Sequence, residues 1–104
     1  MSGRTIKARL AEAGGERRRA HRHAVEIPGT VRELGAEGVD ALVLDISEIG
    51  FMASTEAHFA VGTRLWLFLP GRERANAVVV WIDGDRLGAE FAEPISLEGL
   101  EDQA

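Results

Sequence analysis

From Val25 to Phe91 the apolar residues recur at every second position, the period of strands with one buried face. β-branched residues are frequent there, and glycine-bearing turns interrupt the pattern at short intervals. The pattern predicts strands at about 25–33, 38–47, 50–55, 63–69, 74–82 and 86–92. Gly35-Ala36-Glu37-Gly38 joins the first two, Pro70-Gly71 the fourth and fifth, and Asp83-Gly84-Asp85 forms a tight hairpin between the last two. Short antiparallel strands in this number imply an all-β chain, a six-stranded antiparallel β-barrel or a sandwich.

Two segments depart from that period. Residues 4–13 have helix-forming composition, with Ile6, Leu10 and Ala13 at helical spacing and Gly14-Gly15 closing the run. So short a helix is marginal alone. No apolar stripe runs through the arginine cluster that follows, so residues 1–23 are expected to form a flexible N-terminal arm, and 24–104 the barrel. At the other end, Ser96 as an N-cap with Leu97 and Leu100 three apart predicts a short C-terminal helix of one or two turns. Leu65-Trp66-Leu67-Phe68-Leu69 is apolar on both faces, so this strand calls for cover on both sides, and Ile95–Leu100 is the candidate cover. Trp66 and Trp81 read as core.

A chain of 104 residues with 45% apolar content supports one packed core and one ligand site of any size. It has no cysteine, which excludes disulfides, thiolate chemistry and cysteine-based zinc sites. The first fifteen residues hold no apolar run of signal-peptide type, and no uncharged run approaches the roughly 20 residues of a membrane helix. A soluble, cytoplasmic protein without membrane insertion is expected. The net charge of −5 is divided unevenly: residues 1–32 carry +5 and residues 33–104 carry −10. An acidic body argues against DNA or RNA as a partner, and a basic arm suits a small anion.

Two stretches carry candidate chemistry. The first is Asp45-Ile46-Ser47-Glu48-Ile49-Gly50. On a regular strand Asp45 and Ser47 share one wet face, with Cα atoms about 6.6 Å apart, while Leu42, Leu44 and Ile46 point into the core. Gly50 permits a close approach that a side chain would forbid. The bland alternative is a turn in which the two polar side chains bond local backbone amides.

The second stretch is Arg17-Arg18-Arg19-Ala20-His21-Arg22, in which Arg18 and Arg22 alone have the spacing Arg-x-x-x-Arg. Guanidinium forks match phosphate oxygens, and equally guanine O6 and N7, while a carboxylate complements the guanine donors N1 and N2. Without context the cluster reads as a solvated linker; beside Asp45 and Ser47 it reads as half of a nucleotide site. His21, His23 and His58 lack the carboxylate or thiol neighbours of a metal site, so no metal or cofactor is expected. No nucleophile elbow, phosphate loop or zinc-helix motif occurs, so the chain is not expected to be an enzyme.

Arg-x-x-x-Arg followed about twenty residues later by Asp-x-Ser-x-x-Gly at the end of an apolar strand resembles the PilZ family of bacterial cyclic di-GMP receptors. Val25-Glu26-Ile27-Pro28 looks like that family's first strand, and Val79-Val80-Trp81 with Leu87-Gly88-Ala89-Glu90-Phe91 like its last hairpin. The resemblance runs from about Glu16 to about Pro94, with Ile49 where many members have a small residue. It implies a receptor that signals by ordering of its arginine linker on cyclic di-GMP, with altered binding of an unidentified downstream protein. The implied ligand-binding residues are Arg17, Arg18, Arg22, Asp45, Ser47, Gly50 and Gly88, the last by letting a base approach the backbone rather than by a bulge. The alternative is an adaptor of the same fold that does not bind the nucleotide.

Overall fold

A computed structural model describes residues 22–100. Its elements are β1 (His23–Glu33), β2 (Val39–Ile46), β3 (Gly50–Ser54), β4 (Arg64–Phe68), β5 (Ala75–Asp83) and β6 (Arg86–Phe91). Each lies within two residues of the strand that the alternation predicts. All neighbouring pairs are antiparallel, and they close into a barrel in the order β1-β2-β3-β6-β5-β4. Closure depends on the length of β1, whose 11 residues pair with β2 and, over Thr30–Glu33, with β4. A closed sheet leaves no unpaired edge to recruit another chain.

The interior is filled by inward-facing residues of every strand. Ile27, Val31, Val43, Ile46, Phe51, Leu65, Leu67, Val79 and Leu87 are each almost wholly buried. The Phe51 and Phe91 rings meet at 5.5 Å between centroids. A large side chain removed from such a core costs about 3–5 kcal/mol, several times the worth of any exposed ion pair on the barrel.

Two expectations are corrected by the packing. The inward residues of β2 are Ala41, Val43 and Ile46; Leu42 is exposed and Leu44 half-buried. The cause is a register shift between Val43 and Asp45, which inserts one extra residue and reverses the alternation midway along the strand. The outer side of β4 is covered by arginines: Arg74 lies 4.2 Å from the Trp66 ring centroid and Arg32 5.9 Å from that of Phe68. Leu97 and Leu100 instead join the interior cluster.

The expected C-terminal helix is a single turn, closed by the Leu100 amide donating to the Leu97 carbonyl at 2.9 Å, and no helix occurs among the described residues. Ser96 does act as a local cap, its Oγ accepting from the Glu98 amide at 3.1 Å. The expected N-terminal arm, apart from Arg22 and His23, lies outside the described residues.

Candidate functional site

All the register shifts of the barrel fall near one end. They lie between Ala24 and Ile27 in β1, between Val43 and Asp45 in β2, and between Val79 and Trp81 in β5. A bulge re-aims the side chains beyond it, and its effect here is concrete. Pairing runs Ala24 to Asp45, Asp45 to Met52, Met52 to Gly88, and Gly88 to Trp81, so one cross-strand row traverses five strands. Because Ile46, Phe51, Leu87 and Ala89 point inward, this row lies on the outer face. At roughly 4.8 Å per strand, Asp45 and Trp81 stand about 14 Å apart along it.

Arg22, just ahead of β1, closes on this row from the side. Its Nε donates to both carboxylate oxygens of Asp45 at 3.1 Å. The Arg22 side chain is 58% exposed and that of Asp45 25%, so the pair is worth at most about 1 kcal/mol to folding. Its importance is positional: an arginine and a carboxylate far apart in sequence share one rim.

Ser47 takes the role of turn-holder. It is buried at 4% exposure, and its Oγ accepts from the amides of Ile49 and Gly50 at 3.2 Å while its own amide donates to the Gly50 carbonyl at 2.8 Å. The expected shared wet face of Asp45 and Ser47 is therefore not formed: β2 ends at Ile46, and Ser47 turns inward to hold the turn. The turn is pinned from outside as well, since the Phe91 amide donates to the Ile49 carbonyl and the Ile95 amide to that of Glu48. Gly50 allows β3 to lie close to β6: a Cβ there would stand 2.5 Å from the Ala89 carbonyl oxygen.

Gly88 is also a point of close approach, but the visitor is the Trp81 indole, whose Nε1 would stand 2.0 Å from an added Cβ. Trp81 is accordingly not core; it is 38% exposed and forms an aromatic wall on the outer face. Arg22, Ser47, Gly50 and Gly88 line one pocket of about 210 Å³ together with Ile49, Phe51, Val80, Trp81, Ala89 and Glu90, and Asp45 stands at its rim through Arg22. Trp81 is thus the pocket-lining residue that sequence reasoning placed in the core instead. Its signal was present, since a glycine on the neighbouring strand of the same hairpin is what an indole lying on the sheet requires.

A larger hollow of about 830 Å³ opens near the other end of β2, but its charged lining residues are Asp40, Glu56 and Asp85. Three acids repel an anion, so charge outweighs size in deciding between the two. Among the described residues no group of His, Cys, Asp or Glu could hold a metal ion, and no helix is long and apolar enough to cross a membrane.

The PilZ domain family model matches residues 16–103. The chain belongs to the PilZ domain family. PilZ domains are in general cyclic di-GMP-binding modules, binders and adaptors rather than enzymes. A search among curated proteins returns no significant match. Of the PilZ residues anticipated from sequence, Arg22, Asp45, Ser47, Gly50 and Gly88 are brought to one end of the barrel, while Arg17 and Arg18 lie outside the described residues.

Proposed function

We propose that this PilZ domain is a cyclic di-GMP receptor whose site is built at the Asp45–Trp81 row and completed by the arginine linker. The observation that supports it most is the meeting of Arg22 and Asp45 at the rim of a pocket walled by Trp81. A carboxylate there complements the N1 and N2 donors of guanine, and an arginine fork complements a phosphate or the O6/N7 edge. The pocket's 210 Å³ lies below the roughly 300–1,000 Å³ of a site that encloses a small ligand. A cyclic dinucleotide would rest over it, and Arg17 and Arg18 would reach across from the linker. Ser47 and Gly50 act at one remove, by holding the β2–β3 turn in its ligand-ready shape.

In this reading the domain signals without chemistry of its own. Ordering the linker over the row changes the surface offered to a downstream protein. A second reading, an adaptor of the PilZ fold that does not bind the nucleotide, is favoured by one feature: Arg22 already has an acidic partner in the free chain.

Calorimetric titration of the full chain separates the two. The receptor reading expects saturable heat with cyclic di-GMP, weak binding of cyclic di-AMP, and loss of that preference in Asp45→Asn. Folded protein giving no heat at high ligand concentration leaves the adaptor. Equal affinity for both dinucleotides means that the site reads phosphate alone.

A further inference from the structure

β4 is the one strand that the row from Ala24 through Asp45 to Trp81 does not reach. Its outer face carries Arg64, Trp66 and Phe68, because Leu65 and Leu67 point inward. Arg32 stands opposite Trp66 in the β1–β4 ladder, and Arg74 lies over the Trp66 ring from the loop between β4 and β5. Three arginines thus surround one strand. We infer that this face docks an extended acidic segment of a partner protein, with carboxylates at alternate positions. None of the three arginines lines the pocket beside Arg22, so the docking is independent of the receptor reading.

Segregation of charge makes the first argument. Residues 22–100 hold thirteen acids, six arginines and no lysine, so acids are plentiful enough to pair every arginine. Among the described residues, however, Arg22 is the only arginine with a carboxylate partner. Half of the six are gathered on this face without one: Arg64 and Arg74 are exposed, and Arg32 is half-buried, with its Nε shut away from any acceptor. A guanidinium partly desolvated with no counter-charge is stabilised by an incoming carboxylate.

Preorganisation makes the second. The Arg74 guanidinium lies 4.2 Å from the Trp66 ring centroid, and that of Arg32 lies 5.9 Å from the Phe68 centroid. Arginines already stacked on flat rings lose less rotamer freedom when they grip a ligand. Arg74 sits over position 66, one same-face step of about 6.8 Å along β4 from Arg64. An extended chain with an acid at every second residue repeats that step.

The border of the face sets the size of the occupant. Exposed Glu33 pairs with Leu65, Glu73 precedes Arg74, and Glu90 faces Val78, which in turn faces Arg64. A short segment fits inside these acids. A bilayer or a nucleic acid extends over them and meets the −10 of residues 33–104.

The probe is a short synthetic peptide alternating glutamate and threonine, titrated into the full chain and followed by amide NMR shifts. Saturable shifts are expected on Arg64–Phe68 and on Arg74 to Asn76, and none with the glutamine counterpart. Affinity is expected to fall at least about fivefold in Arg64→Ala and in Arg74→Ala, as for lost charge-assisted bonds, and to stay unchanged in Arg86→Ala. The Arg64 side chain makes no hydrogen bond or ring contact among the described residues, so its variant keeps the test decisive should Arg74→Ala disturb the fold. Absence of saturation, or shifts confined to Arg22 and Trp81, overturns the docking. Tighter binding to anionic phospholipid vesicles or to single-stranded DNA, lost in the same variants, assigns the face to another polyanion and overturns the protein partner. Self-association by sedimentation that disappears in Arg64→Ala assigns it to a second copy and overturns that partner too.

Discussion

Trp81 lies across Gly88 so closely that a Cβ on the glycine would stand 2.0 Å from its Nε1. The two residues face each other in the β5–β6 ladder, next to the register shift that follows Val79. Gly88→Ala is therefore expected to lift the indole and destabilise the barrel by about 1–3 kcal/mol, the usual range for overpacking. Trp81→Ala removes the obstacle, so the double variant should cost clearly less than the sum of the two single ones. Urea unfolding of the four proteins measures this; additive costs would show that the contact is not the cause.

Ser47 is nearly buried, and it supplies the acceptor for two turn amides. In Ser47→Ala those amides lose their partner, at about 1–3 kcal/mol for buried donors left unsatisfied. The midpoint of thermal unfolding should fall, and any ligand affinity should fall with it. Retained stability with lost affinity would instead assign the hydroxyl to direct ligand contact.

Arg22→Ala separates the two properties in the opposite sense. The Arg22–Asp45 pair is exposed, so its loss should change stability by no more than about 1 kcal/mol. Under the receptor reading, cyclic di-GMP affinity should fall at least about tenfold, or about 1.4 kcal/mol. Calorimetry and a thermal melt on the same samples suffice. A variant that melts much lower yet binds unchanged would make this arginine structural.

Linker ordering has its own signature. With cyclic di-GMP, the amides of Glu16 to His23 should gain protection from hydrogen exchange, because charge-assisted bonds offset the roughly 1–2 kcal/mol per residue that fixing a backbone costs. Raising the ionic strength should weaken that protection wherever the clamp is exposed. Equal protection with and without ligand would rule out the ordering switch.

The alternation of apolar residues was enough to place all six strands and their turns, because barrel strands with one wet face write the burial pattern directly into the sequence. The motif spacing was likewise enough for Arg22, Asp45 and Gly50 to be singled out before their positions were known.

What the one-dimensional pattern lacked was the local parity. Extending a period of two through β2 put Leu42, Leu44 and Ile46 inside together and left Asp45 and Ser47 side by side, whereas the shift between Val43 and Asp45 keeps Ile46 inside but turns Leu42 outward, and Ser47 is buried in the turn. The same kind of shift in β5 takes Trp81 from the core to the surface and lays it on Gly88. The sequence by itself determined the strands, their order along the chain and the residue types available for an anion. Tertiary structure alone decided which of those residues share a face. A bulge is settled by how two paired strands twist and pack against their neighbours, and that balance involves residues far apart in the chain.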